Sequence, residues 1–230
     1  MDPIPRKTES EASIQRRLIS KLRIEGWFSK ATHGNEFQIG FPDVFACHIR
    51  YGSRWIELKK PGVGILQDTQ HHFFLELAKR NIGVWILTDS TDWEYKKLFS
   101  PANWHTYCSI MKSNRGSKAL KPFREPRKQA DGPERRIQEA VKAELAKDGW
   151  FVADTNGNIY QYGFPDLYAC HARYGSRWIE IKNPKGYVFT PAQIETFPQF
   201  SAQGVGVWVL TGPEEIPKIF SPANWYTYLK

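Results

Sequence analysis

The sequence predicts an α/β fold built twice, each copy a helix, three strands, a helix and a strand around a mixed central sheet. Three observations predict it. The stretch from Gly40 to Lys59 returns as Gly163 to Lys182 with sixteen of twenty positions identical. A helical apolar period precedes each copy: Ile14, Leu18 and Leu22 in the first, Ile137, Val141 and Leu145 in the second. A continuous apolar run follows each copy, from Gly83 through Val84, Trp85, Ile86 and Leu87 to Thr88 and again from Gly206 to Thr211, as suits a strand buried on both faces.

The elements follow in order. Residues 1–9 read as a polar tail. Ser10 is placed to cap the first helix, which Gly26 ends, and the second copy enters through Gly132-Pro133 and ends at Gly149. Trp27 to Thr32 and Trp150 to Thr155 read as first strands, each followed by a turn, Thr32-x-Gly34-Asn35 and Thr155-x-Gly157-Asn158. The repeated stretch then reads as a hairpin turning at Tyr51-Gly52-Ser53. Closed at Arg50 and Arg54, that hairpin sets position 45 opposite 59 and 47 opposite 57. A second helix is expected over Asp68–Arg80 and Pro191–Ala202, the latter with Thr190 as cap and Pro191 in its first turn. Each half ends in Ser-Pro-Ala-Asn-Trp, beginning at Ser100 and Ser221, which reads as packing. The expected division is a first module over 1–111, a basic linker over 112–130 and a second module over 131–230.

Composition bounds the partners. The chain has 230 residues, 41% of them hydrophobic and 14% aromatic, enough for globular cores. Eight of the nine Trp fall at matching places in the two copies, Trp27/Trp150, Trp55/Trp178, Trp85/Trp208 and Trp104/Trp225, which marks them as packing residues. The net charge of +8 favours an acidic polymer, with ordinary solubility as the bland reading. The linker concentrates the excess: Lys112, Arg115, Lys118, Lys121, Arg124, Arg127 and Lys128 against Glu125 alone. It spans the modules, and it is also suited to lie along phosphates. Three Cys give no disulfide framework, and Cys47-His48, repeated as Cys170-His171, lacks further ligands for zinc. No stretch approaches the length of a membrane span and the first residues do not read as a signal peptide, so a soluble, intracellular, cytoplasmic protein is expected.

What repeats without change includes groups that no apolar core requires: Asp43/Asp166, Glu57/Glu180 and Lys59/Lys182. Residues two apart on a strand face the same way, so Glu57 and Lys59 stand side by side, with Asp43 on the same face. Two carboxylates and an amine at a strand end, beside the Pro61-Gly62 loop, suit Mg²⁺, which takes oxygen ligands and keeps several waters. A Glu57–Lys59 salt bridge without any metal remains the plain structural reading of either copy alone. Glu11 and Glu134 hold equal places in the first helical turn, with Gln15 and Gln138 on the same face; a favourable helix-dipole charge would also explain them. Arg50/Arg173 and Arg54/Arg177 flank the hairpin tip, as phosphate contacts or as a solvated turn. Lys60 and Lys185, just past the acids, join the candidate phosphate contacts with Arg124, Arg127 and Lys128 of the linker.

These residues resemble a known pattern. Pro-Asp43 and, fourteen positions on, Glu57-x-Lys59 look like the PD-(D/E)xK nuclease superfamily. Within it they are most similar to the virus-type replication-repair (VRR-NUC) nucleases and the related archaeal-type Holliday junction resolvases. Gly40-Phe-Pro-Asp43, Trp55-Ile-Glu-Leu-Lys-Lys-Pro-Gly62 and Gln70 carry the resemblance, as do Gly163-Phe-Pro-Asp166, Trp178-Ile-Glu-Ile-Lys-Asn-Pro184 and Thr190-Pro-Ala-Gln193. It covers most of each half and implies a restriction-endonuclease-like core in tandem, forming a pseudo-dimer within a monomeric chain. It further implies Mg²⁺ or Mn²⁺ held by Asp43, Glu57 and the Leu58 carbonyl, and by Asp166, Glu180 and the Ile181 carbonyl. Lys59 and Lys182 would position the attacking water, with Glu11, Glu134, Gln70 and Gln193 in support; without the pattern both Gln would read as solvent-facing.

The expected function is therefore a metal-dependent DNA endonuclease with two active sites, cutting branched DNA such as a four-way junction. A sequence-specific double-strand endonuclease of restriction or homing type would need groove-reading side chains that the sequence does not reveal. A non-catalytic DNA-binding scaffold would be expected to have lost an acid or a Lys, and both copies keep all of them.

Overall fold

A computed structural model describes residues 10–32, 40–60, 65–115, 132–155 and 162–229, with side chains from 110 to 115 excepted. The turns at 34–35 and 157–158, the Pro61-Gly62 loop, and the linker residues Arg124, Arg127 and Lys128 lie outside the described residues.

The first half runs α1 (Glu11–Ile24), β1 (Phe28–Ala31), β2 (Val44–His48), β3 (Gly52–Leu58), α2 (Asp68–Ala78), β4 (Val84–Leu87), α3 (Asp92–Lys96) and α4 (Trp104–Arg115). The second runs α5 (Pro133–Lys147), β5 (Phe151–Asp154), β6 (Leu167–His171), β7 (Gly175–Ile181), α6 (Pro191–Ala202) and β8 (Val207–Leu210), closing in two 3₁₀ turns. Each half carries a four-stranded sheet, ordered β1-β2-β3-β4 and β5-β6-β7-β8. The first three strands of each are antiparallel and the last is parallel to the third. This is the mixed α/β order that the sequence predicts. Helix α4 runs to Arg115, past the expected start of the linker at 112.

Local chemistry explains the element ends. The Ser10 hydroxyl accepts the Ser13 N–H at the start of α1, and Thr190 does the same for Gln193 at α6. The hairpin corrects the expected register. His48 faces Gly52 and Phe45 faces Trp55, so the turn is 49–51 and Gly52, at φ +72°, opens β3. The slip from the expected pairing is even, which leaves every side chain on its expected face. It brings Asp43 level with Glu57, beyond the last pair Val44–Ile56.

The closing Ser-Pro-Ala-Asn-Trp motif, read from sequence as packing, also completes the edge of each sheet. Asn103 Oδ1 accepts the Ile86 N–H at 2.6 Å and its Nδ2 donates to the Ile86 carbonyl at 2.9 Å. Asn224 does the same for Val209 at 2.7 and 3.2 Å. A side-chain amide thus stands in for a further strand, satisfying backbone groups on the outer side of the buried last strand. The Ser100 and Ser221 carbonyls accept from the indoles of Trp85 and Trp208 at 2.9 Å.

One sheet face of each half packs on its first helix: Val44, Ala46, Ile56 and Leu58 on Leu18 and Leu22, and Leu167, Ala169, Ile179 and Ile181 on Val141 and Leu145. The opposite faces join in one core shared by the halves. There Trp55 meets Tyr168 and Trp178 meets Phe45, each pair with ring centroids 5.0 Å apart, and the two Trp rings lie 6.0 Å apart. Each such buried aromatic contributes about 1.5–3 kcal/mol by leaving water. The flanks are reciprocal as well: Arg80 donates to the Gly149 carbonyl at 3.2 Å, and Gln203, its counterpart in the repeat, donates to that of Gly26 at 3.2 Å.

Candidate active site

Glu57 stands two residues beyond Trp55 on β3, on the face that turns to the shared core, and it is fully buried. A carboxylate has no hydrophobic reason to be there. Its Oε1 lies 2.5 Å from Lys59 Nζ and accepts from Gln70 Nε2 at 2.6 Å. Its Oε2 is buried without a hydrogen-bond partner. Burial, with Asp43 adding negative charge beside it, pushes the Glu57 carboxyl up to about 8 against the pull of Lys59 and Gln70.

The second half builds the same arrangement. Glu180 Oε1 lies 2.6 Å from Lys182 Nζ and accepts from Gln193 Nε2 at 2.6 Å, while Oε2 is buried without a partner. Burial and then Asp166 raise the Glu180 carboxyl well above its ordinary range. An orphaned carboxylate oxygen costs about 1–3 kcal/mol or more, and here it occurs twice at one position of a repeat.

Backbone geometry fixes the other acid. Asp43 Oδ2 accepts the Leu58 N–H at 2.6 Å, and Asp166 Oδ2 that of Ile181 at 2.8 Å. Each Asp follows Gly-Phe-Pro, and the Gly is required by the approach of the next helix. At Gly40, φ +94°, a Cβ would lie 2.5 Å from the Thr69 carbonyl oxygen; at Gly163, φ +88°, one would lie 2.6 Å from that of Ala192. The loop is tied from behind, since the Thr32 N–H donates to the Asp43 carbonyl at 3.0 Å and its hydroxyl donates to the Pro42 carbonyl. Thr155 repeats both bonds on Asp166 and Pro165. Gln15 Nε2 adds a bond to the Asp43 carbonyl at 3.0 Å, whereas Gln138 turns to Asp154 at 2.9 Å.

Gln70 and Gln193 are held in place, not solvent-facing. Each sits at the third position of its helix, where the side-chain oxygen also accepts the N–H of Gln67 or Thr190 at 3.1 and 3.0 Å. This is one half of a capping box, and Thr190-Pro-Ala-Gln193 is its sequence signature. The same oxygens accept from Lys59 at 3.2 Å and Lys182 at 3.4 Å. Lys182 has a third acceptor in the Val188 carbonyl at 3.2 Å. Glu11 and Glu134 reach the site's rim, accepting the N–H of Lys60 at 3.0 Å and of Asn183 at 3.2 Å.

The expected cationic contacts separate. The Lys60 and Lys185 side chains are exposed just beyond the acids. Arg50 and Arg173 are exposed at the hairpin tips, at the other end of β3 and β7. A seven-residue strand puts them about 20 Å from the acids. Arg54 and Arg177 are committed to packing instead of to a phosphate. Their Nε atoms donate to the Leu98 and Ile219 carbonyls at 2.8 and 2.7 Å, and their guanidinium groups lie over Trp85 and Trp208. His48 and His171 accept the N–H of Arg50 and Arg173, both at 3.0 Å, and burial pushes the Cys47 and Cys170 thiols up to about 12, so this repeated pair packs.

The donor set suits a hard cation. Among the described residues no three His, Cys, Asp or Glu side chains gather as a ligand cluster; the acids stand in pairs, Asp43 beside Glu57 and Asp166 beside Glu180. Two carboxylates, one with a buried free oxygen, fit a divalent ion that keeps waters among its ligands. Among the described residues no helix is long and apolar enough to cross a membrane.

No protein-family model matches the chain, and no curated protein matches it. A solved structure described as a VRR_NUC domain is 22% identical, over 39% of this chain and 96% of that one, with a TM-score of 0.35.

Proposed function

We propose that this chain is a metal-dependent DNA endonuclease whose two halves are nuclease modules paired as a pseudo-dimer, each with its own active site. The observation that carries the reading is the buried Glu of each half with one oxygen fixed by Lys and Gln and the other without a partner. Asp43 with Glu57, and Asp166 with Glu180, would hold Mg²⁺ or Mn²⁺, with the Leu58 and Ile181 carbonyls as further ligands. A divalent cation there supplies Lewis-acid polarisation of a phosphoryl oxygen and a more acidic bound water.

The chain's own groups do the rest. The Lys59 ammonium, anchored on Glu57 and Gln70, donates toward a water or phosphate oxygen at the site and balances charge that builds on the ester. Gln70 fixes both the acid and the amine, so their spacing is set before substrate arrives. The backbone N–H of Leu58 holds Asp43 in one orientation. Gln193 and the Ile181 N–H repeat these roles, and Lys182, whose three donors go to Glu180, Gln193 and the Val188 carbonyl, would turn from Val188 to reach a water or phosphate. Glu11 and Glu134 brace the segment after each strand, and Lys60 and Lys185 meet the DNA backbone next to the site.

Branched DNA is the proposed substrate, with the four-way junction first. Reciprocal contacts between repeated halves favour two sites of opposed polarity, matching two strands of opposed polarity. A net charge of +8 favours backbone recognition, which needs no long base-reading surface. Purified protein is incubated with an end-labelled four-way junction and with linear duplex, with Mg²⁺ or with EDTA. Symmetric cutting of the junction in Mg²⁺ alone is expected; equal cutting of duplex at one defined sequence would replace the junction reading, and cutting in EDTA would end the metal one.

A further inference from the structure

Lys30, on β1 opposite Phe45, sends its side chain across the seam into the second half. Its Nζ donates to the Tyr162 carbonyl and, at 3.2 Å, to Thr196 Oγ1, and the Phe164 ring lies 5.4 Å away. Glu195 is the acid nearest in effect, and Arg23 the opposing cation. Tyr162 immediately precedes Gly163, which opens the run to Asp166, and Thr196 lies one turn past Gln193 on α6. Gly163 and α6 already touch so closely that a Cβ would meet Thr196 Oγ1 at 2.7 Å. A single amine therefore joins the two pieces of chain that carry Asp166 and Gln193, and it comes from the other half.

Among the described residues no amine of the second half does the same for the first site. Ala153 stands where the repeat would place Lys30, and Phe73 stands in place of Thr196. There the seam is apolar, with Phe73 edge to face on Phe151 at 5.2 Å. We infer that Lys30 is a positioning residue for the second half's site, so that the two sites of one chain are unequal and the second depends on the docking of the first half. This rests on the nuclease reading above.

Asp43→Asn isolates cleavage by the second site and Asp166→Asn isolates the first; Lys30→Met is placed in each. Loss of a charge-assisted bond pair that aligns two site residues is expected to slow the second site on the order of tenfold in single-turnover rate, with the first site held within about twofold. Lys30→Arg should restore the second site, because a guanidinium reaches the same acceptors. Hydrogen exchange of segment 162–166 should quicken in Lys30→Met while segment 40–43 is unaffected. Lys30→Gln, which keeps an amide donor but no charge, serves if Lys30→Met fails to fold. Equal slowing of both sites, or none, with exchange unchanged, would overturn the assignment. If the Lys30-containing chains show no cation-dependent cleavage, the nuclease reading fails by itself and the exchange comparison alone decides the role of Lys30.

Discussion

Raising the pH of the cation-free protein should weaken it, and a divalent cation should cancel much of that loss. Glu57 carries its carboxyl to about 8 in the fold, against an ordinary 4.5, and Glu180 is raised in the same way. The unfolded chain gives up both protons near pH 4.5, while the folded chain keeps that of Glu57 to about 8 and that of Glu180 well past the ordinary value. Between those limits the folded state holds more protons, so its stability is fully present below the ordinary value and is lost as pH rises. The slope is about 1.4 kcal/mol per pH unit for each proton held, or about 3 for two sites acting alike. A cation on the free Oε2 takes the place of the proton, flattens the slope and adds stability that grows with pH. Urea unfolding followed by Trp fluorescence between pH 5.5 and 8.5, in EDTA and in Mn²⁺, measures both lines. The double variant Glu57→Gln/Glu180→Gln should flatten the EDTA line and remove the Mn²⁺ effect. Stability that rises with pH in EDTA, or two parallel lines, would refute the reasoning.

Three further outcomes follow from the same geometry. Asp43→Asn or Asp166→Asn alone should convert double cleavage to nicking, read on a junction labelled on both strands, and the double variant should be inert in Mg²⁺. Lys59→Met with Lys182→Met should slow cleavage by about 100-fold or more while leaving the Mn²⁺-induced gain in stability; losing both together would sink the division of roles between acids and amine. Asn103→Ala and Asn224→Ala should each cost about 2–4 kcal/mol in urea unfolding, because each strands a backbone N–H and a carbonyl on an edge strand, and a cost under about 0.5 kcal/mol would contradict the edge-capping role.

Much of the fold is legible in the sequence because its signals are local. The four-residue spacing of Ile14, Leu18 and Leu22, the cap at Ser10 and the apolar run at Val84–Leu87 each describe one element on its own terms. The hairpin register is less so: Tyr51-Gly52-Ser53 and residues 49–51 are both plausible turns, and an even slip leaves the pattern of faces unchanged. The pairing of Glu57 with Lys59 survives either register, while the level placement of Asp43 and Glu57 emerges only from the true one. Gln193 is readable as a capping-box residue after Thr190; Gln70 follows Gln67, a poor cap by sequence, and depends on its twin to be noticed. Asn103 and Lys30 leave no local signature, since their partners lie on a strand seventeen residues away and in the other half of the chain.

The central claim is best tested by diffraction from a crystal grown in Mn²⁺, with anomalous scattering used to locate the ions. Manganese is expected against Glu57 Oε2 beside Asp43, and again against Glu180 Oε2 beside Asp166. Both carboxylates empty of metal, with Lys59 and Lys182 the sole charges neutralising them, would contradict the account.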